Sequence, residues 1–223
     1  MIQVTDLSQS FGKKKVLDAV TIEIGQHEIC ALVGRNGAGK STFINSLLGL
    51  LPVNQGRITI NSRQVTKKYA DWKKLIAYLP EKFMLYPMLT GIENITFFAE
   101  AVDKKAVPER IERALRSVSL WDDRDVQVKK YSKGMLQRLG LAITLYQESS
   151  ILILDEPTSG IDPMGRKEIL EVLKSLDDKT ILLSSHHLDE IRQVCTHVAY
   201  LEDGKMAKYK VEDFLKTHDL GGF

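Results

Sequence analysis

Gly34-Arg35-Asn36-Gly37-Ala38-Gly39-Lys40-Ser41-Thr42 follows the apolar run Ile29-Cys30-Ala31-Leu32-Val33 and fits the spacing Gly-x-x-x-x-Gly-Lys-[Ser/Thr]. Glycines at these positions let the backbone curl, so that successive N–H groups point inward as a cradle for phosphate oxygens. In such a cradle Lys40 reaches the β- and γ-phosphates, and the Ser41 hydroxyl is a candidate ligand for Mg²⁺. The loop must open a helix, because a helix N-terminus supplies unpaired N–H groups and a partial positive charge. Residues Ser41 to Leu50 allow one. The competing reading is a glycine-rich turn that happens to carry a surface lysine. Binding of a nucleoside triphosphate is therefore the first hypothesis, on a strand–loop–helix unit of an α/β fold.

A second apolar run, Ile151-Leu152-Ile153-Leu154, ends in Asp155-Glu156-Pro157. Four consecutive apolar residues suit a strand buried on both faces of a parallel sheet. Carboxylates at its carboxyl end would stand where open α/β sheets bind their ligands. Asp155 is then placed to hold Mg²⁺ through water, and Glu156 to orient the water that attacks a γ-phosphate. An isolated Asp-Glu pair is more often a solvated strand end or a helix cap. Its pairing with the upstream loop favours the catalytic reading.

Composition narrows the classes. A chain of 223 residues holds one compact domain with room for an inserted lobe, whereas two independent domains would be cramped. A net charge of +2, with 27% charged residues, gives no electrostatic case for nucleic acid as the partner. Cys30 and Cys195 have neither metal-site nor disulfide-framework spacing, which fits a reducing compartment. No stretch approaches the roughly 18 to 20 apolar residues that span a bilayer, and Met1 to Asp6 has no cleavable-leader pattern. The chain is expected to be soluble, with any membrane role supplied by a separate polypeptide.

Along the chain, Ile2 to Val4 and Val20 to Ile24 alternate apolar and polar residues around a turn at Phe11 to Lys15. With Arg57 to Asn61 they predict a small antiparallel layer beside the nucleotide core. From Glu81 to about Gln147 the apolar spacing turns helical, as in Ile92, Ile95, Phe98 and Ala99. Between Ala101 and Gly140 ten Lys or Arg stand against six Asp or Glu, a mild excess that a solvated face explains. The α/β pattern then resumes: helix Pro163 to Leu176, strand Thr180 to Ser184, helix Leu188 to Val194, strand Val198 to Leu201.

Between the two halves of the site lies Tyr131-Ser132-Lys133-Gly134-Met135-Leu136-Gln137-Arg138. It resembles the signature segment of ABC-type ATPases, and the ordered motifs together resemble the nucleotide-binding domains of ABC transporters over nearly the whole chain. The resemblance implies two copies bound head to tail, each ATP held between one copy's phosphate loop and the other's signature segment. Ser132, Lys133, Gly134 and Met135 would then contact ATP bound by the partner. Phe11, 23 positions before Gly34, matches an aromatic that stacks on adenine, although a core residue at a hairpin edge ranks close behind. Stacking distinguishes bases weakly, so GTP stays open beside ATP. His186 matches a histidine that touches the γ-phosphate, whereas His187 is expected to be exposed at the next helix start. Asp162 matches a loop that crosses to the opposite subunit; capping of the helix begun by Pro163 is compatible with that.

Two departures stand out. Tyr131, Lys133 and Met135 replace residues of the common Leu-Ser-Gly-Gly-Gln, and Lys133 either adds charge toward ATP or faces solvent. In Tyr78-Leu79-Pro80-Glu81 a carboxylate replaces the usual glutamine. About 4 Å from a phosphate charge it would be opposed by roughly 4 kcal/mol at an effective dielectric of 20, a sign that an intervening Mg²⁺ reverses. Glu81 is therefore a candidate for the metal shell and for reporting nucleotide state to the helical lobe. Phe83 to Leu89 either receives a membrane subunit or forms the lobe's own core.

The resulting expectation is an α/β P-loop NTPase core, RecA-like, with an antiparallel β layer and an inserted α-helical lobe. Residues 1–80 and 148–223 form the core and 81–147 the lobe of one domain. Catalysis falls to Glu156, His186 and Lys40. ATP binding falls to Phe11, Gly34, Arg35, Asn36, Gly37, Ala38, Gly39, Lys40, Ser41, Thr42 and Glu81, and Mg²⁺ to Ser41, Asp155 and Glu81. The implied partners are an integral membrane permease and a second ATPase subunit, a homodimer, on the cytoplasmic face of the membrane. The two variant segments resemble those of multidrug, lipid or antibiotic exporters with separate permeases. They also resemble the ATPase that serves copper-site maturation of nitrous-oxide reductase. The alternative class is a soluble ABC ATPase acting as a mechanical switch on ribosomes or DNA; such chains usually carry two cassettes or a long coiled-coil insertion, and neither pattern is seen.

Overall fold

The computed structural model describes residues 1–66 and 70–217. In chain order its elements are β1 (Ile2–Phe11), β2 (Lys14–Ile24), β3 (Ile29–Val33), α1 (Lys40–Leu47), β4 (Gln55–Ile60) and β5 (Arg63–Gln64). Next come β6 (Ile76–Leu79), α2 (Gly91–Val102), α3 (Pro108–Ser117), α4 (Lys133–Tyr146), β7 (Ile151–Asp155) and α5 (Pro163–Lys174). The chain continues through β8 (Thr180–Ser184), α6 (Leu188–Val194), β9 (His197–Glu202), β10 (Lys205–Lys210) and α7 (Val211–Thr217). Contacts divide it into two compact units. The first holds Met1–Ile76, Ser150–Ile153 and the chain from Asp177 onward; the second holds Ala77–Ser149 and Leu154–Leu176.

In the first unit an antiparallel sheet runs in the order β2-β1-β4-β5, with Ile2 opposite both Ile24 and Ile60. Ile2, Val4 and Leu7 of β1 are buried, the inward half of the alternation seen in the sequence. A second sheet places β3 between β8 and β9, both parallel to it, with β10 antiparallel on β9. Cys30, Ala31, Leu32 and Val33 are all buried, because a central parallel strand is covered on both faces. The β9–β10 hairpin turns at Asp203 and Gly204. α7, which the sequence reading did not anticipate, seats Val211 and Phe214 against Ala31, Val33, Val198 and Tyr200.

The second unit is the helical lobe together with β6, the end of β7 and α5. Buried faces of α2 (Ile95, Ala99), α3 (Ile111, Leu115) and α4 (Leu139, Ile143) share its core. The first lobe helix starts only at Gly91, where Thr90 and Glu93 form a capping box, so residues 81–90 are loop. α1 ends at Leu47 rather than Leu50, with Gly49 at φ +64°, where the chain leaves the helix. No helix among the described residues is long and apolar enough to cross a membrane.

Candidate nucleotide-binding site

In the first unit the phosphate loop connects β3 to α1. Gly34 is held close under β9: a Cβ there would lie 2.5 Å from the Leu201 carbonyl oxygen. Gly39 has φ +113°, and a Cβ would lie 2.9 Å from Val16 Cγ1, so both conformation and space require glycine. Ala38 N–H donates to the Arg35 carbonyl at 3.0 Å, closing the loop on itself. α1 has no side-chain cap bond and no acid in its first turn, which leaves its N–H groups and dipole for an external anion. Lys40 Nζ donates to the Gly34 carbonyl at 2.6 Å, which holds the ammonium over the same loop. Arg35, Asn36, Gly37 and Ser41 are exposed, while Ala38, Gly39, Lys40 and Thr42 are half-buried.

Beside the loop lies a cavity of about 530 Å³, lined among others by Lys14, Val16, Arg35, Gly37, Tyr200 and Asp203. That volume is within the usual range for cofactor-sized ligands. Phe11 is 54% exposed at the end of β1, which removes the core reading and leaves its ring available three residues before the cavity wall begins. On the rim, Asp18 bonds Lys15 and Lys205, and Lys15 then Lys205 hold its carboxyl below the ordinary range. Asp18 N–H also donates to the Gly204 carbonyl at 2.8 Å, tying β2 to the β9–β10 turn.

At the end of β8, His186 is exposed and its ring centroid lies 4.1 Å from that of His187. His187 is not the exposed residue expected from the sequence: it is half-buried as the N-cap position of α6, because its backbone carbonyl starts that helix.

In the second unit β7 delivers Asp155 and Glu156. Leu154 is fully buried and both acids are half-buried, as expected for carboxylates at a strand's carboxyl end. Glu156 has φ +50°, a left-handed conformation uncommon outside glycine, and its carbonyl accepts the Ser159 N–H at 3.1 Å. Tyr78 on β6 forms a side-chain hydrogen bond with Asp155. Burial, then the charge of Asp155, pushes the Tyr78 hydroxyl up to about 12, so it stays a neutral donor at any working pH. In the sequence Tyr78 stands out only as part of the segment leading to Glu81. Glu81 is exposed, and its charge also bears on Tyr78.

Also in this unit, α4 begins at Lys133 because Ser132 is its N-cap: the hydroxyl accepts the Met135 N–H at 3.2 Å. Ser132 and Lys133 are exposed and Met135 is half-buried. Asp162 caps α5, its Oδ1 accepting the Gly165 N–H at 2.9 Å. Arg138, its side chain 11% exposed, donates to the Val118 and Ser119 carbonyls and pairs with Glu168, anchoring α4 behind Ser132.

The segment Phe83 to Leu89 is partly core and partly surface. Phe83 packs edge-on against Phe98 at 5.1 Å and is half-buried, whereas Met84, Tyr86 and Met88 are 82%, 45% and 64% exposed. Asn94, fully buried, clamps this loop: its Oδ1 accepts the Tyr86 N–H at 2.8 Å and its Nδ2 donates to the Tyr86 and Thr90 carbonyls. Sequence reading missed Asn94; the signal was a polar residue on the apolar face between Gly91 and Ile95.

Among the described residues no three His, Cys, Asp or Glu side chains gather as a metal cage. The donors at hand are a hydroxyl and carboxylates, hard oxygen ligands of the kind that hold Mg²⁺ with water and substrate phosphates.

A parallel-stranded core, a glycine loop opening a helix and acids at a strand end define a P-loop NTPase of the ATP-binding cassette type. Residues 17–159 match the ABC transporter family model. The chain is 38% identical over 224 residues to the bacitracin transport ATP-binding protein BcrA of Bacillus licheniformis, covering 98% of this chain and 72% of that protein. It is 34% identical over 218 residues to the lantibiotic transport ATP-binding protein SrtF of Streptococcus pyogenes, covering 96% and 92%. A solved structure of an ATP-binding subunit of an ABC transporter superposes with a TM-score of 0.83 at 31% identity, covering 100% of this chain and 95% of that one. The chain belongs to the ABC transporter ATP-binding family. It is an ATP-binding subunit of that class, an ATPase, and these relatives do not favour the ribosome or DNA switch.

Proposed function

We propose that the chain hydrolyses ATP as one half of a closed homodimer, on the cytoplasmic face of a membrane, and drives a separate permease of the export kind. The observation that carries this reading is a pair of helix starts suited to phosphate. α1 opens from the glycine loop of the first unit with no acid in its first turn, and α4 opens at the exposed Ser132 of the second, also without one. One chain's loop would hold the phosphates of ATP; its twin's Ser132 and Gly134 N–H would close on the γ-phosphate. The names of the relatives, bacitracin and lantibiotic transport, support export.

In this mechanism Lys40 and the N–H groups of residues 37 to 42 neutralise the β- and γ-phosphates, and Phe11 covers the base. Ser41, Asp155 and Glu81 would hold Mg²⁺, which would supply positive charge against the phosphates. Tyr78, a neutral donor bonded to Asp155, aims that carboxylate. Glu156 orients a water, whose oxygen bonds to Pγ as the bond to the bridging oxygen of ADP breaks; its proton passes to the carboxylate. His186 steadies the γ-phosphate, and Asp162 ties one site to the other. The outward group Met84, Tyr86, Met88 and Phe97 is the proposed seat of the permease. Glu156→Gln should bind ATP and accumulate as a dimer on size exclusion, with hydrolysis reduced at least about a hundredfold. Wild-type turnover in that variant would remove Glu156 from the central role.

A further inference from the structure

Behind His186 lies a buried polar pair that the mechanism above does not use. Ser185 and Glu190 are each 2% exposed, and the Ser185 Oγ–H donates to Glu190 Oε2 at 2.9 Å. The same Ser185 oxygen accepts the His187 N–H at 3.1 Å. The Glu190 N–H returns to the His187 carbonyl at 3.1 Å, and the Ile191 N–H reaches it at 3.2 Å. A serine hydroxyl has one proton; once that proton is committed to a carboxylate, the rotor is fixed and its lone pairs face the backbone. His186 therefore sits between two anchored residues while its own ring is exposed. A carboxylate this deeply buried is costly unless it is satisfied, so its retention asks for a reason beyond capping a seven-residue helix.

We infer that Glu190, acting through Ser185, aims the His186 ring at the transferring phosphate and is a positioning residue for hydrolysis. This rests on the reading of His186 as the γ-phosphate contact. The effect belongs to the chemical step: ATP is held by the loop at residues 34–42, whereas the bonds of the pair given above run to each other and to His187, so kcat should fall while KM stays.

The test is a mutant cycle on the full chain with MgATP. Ser185→Ala and Glu190→Ala should each lower kcat by about ten- to a hundredfold with KM within about twofold. Glu190→Gln should recover most of the rate, because an amide oxygen still accepts the serine proton. In the His186→Ala background, measured by single turnover with excess enzyme, Glu190→Ala should cause no further loss. Equal fractional losses in both backgrounds, a change in KM alone, or no rescue by glutamine would overturn the inference. Should Glu190→Ala fail to fold, Ser185→Ala, a loss of one oxygen, decides alone: unchanged kcat sinks the proposal. Wild-type turnover in His186→Ala would instead overturn the His186 reading itself. An inactive His186→Ala beside a fully active Ser185→Ala would leave that reading standing and remove only this inference.

Discussion

An added Cβ at Gly34 would stand 2.5 Å from the Leu201 carbonyl oxygen, whereas at Gly134 it would meet Ile161 Cγ2 at an ordinary 3.4 Å. The fold therefore requires the first glycine and tolerates a methyl at the second. If Gly134 is glycine for what approaches from outside the chain, the two sites separate experimentally. Gly34→Ala should cost about 1–3 kcal/mol through forced movement of backbone and weaken ATP binding with it. Gly134→Ala should keep its thermal midpoint within about 2 °C while ATP turnover falls about tenfold or more. Calorimetry and a steady-state assay on both variants check this; a Gly134→Ala protein with full activity would mean that nothing closes on that surface. The loop itself was legible in the sequence, since its glycine spacing is local backbone chemistry. The need for Gly34 was not, because Leu201 arrives from a distant strand. Likewise, burial pushes the Cys30 thiol up to about 12, consistent with two cysteines that serve packing rather than redox chemistry.

α2 shows how an element positions a surface. Thr90 Oγ1 accepts the Glu93 N–H at 3.3 Å, and Glu93 Oε2 accepts the Thr90 N–H at 2.7 Å, so the helix start is closed from both sides. Asn94, one residue further on, fixes the loop that presents Tyr86. Thr90→Ala should lower stability by about 1 kcal/mol in denaturant titration. The Thr90 backbone N–H, then its hydroxyl, holds the Glu93 carboxyl below its ordinary 4.5. Its contribution is thus complete above pH 4.5 and lost as pH falls through the lower folded value. Glu93→Gln should flatten that part of the acid limb; an unchanged pH profile would show that the carboxylate adds nothing as an ion. Helical spacing in the sequence announced α2 and its neighbours. Ser132, which the sequence marks as a contact to ATP, is in the structure also the N-cap of α4, its hydroxyl accepting the Met135 N–H.

For the molecule as a whole, ATP-dependent closure and attachment to a membrane subunit are the two behaviours to test. The exposed methionines at 84 and 88, beside Tyr86 and Phe97, form an adaptable apolar surface on the second unit. Co-expressed with a multi-helix membrane protein from a neighbouring reading frame, the tagged chain should retain that protein through detergent purification. Met84→Asp with Met88→Asp should reduce its recovery about tenfold. Equal recovery would place the contact elsewhere. The amino-acid sequence alone determined the phosphate loop, the apolar strands that flank it, the acids at Asp155 and Glu156, and the order of segments that marks the family. Each depends on residue types at short, fixed spacing, where backbone geometry and burial leave few alternatives. Only the tertiary structure decided that Tyr78 meets Asp155, that Ser185 meets Glu190, that Phe11 is open, and which residues of 83–89 turn outward. Those facts depend on strand neighbours, helix faces and turns, and packing brings them together across separations that no local pattern encodes.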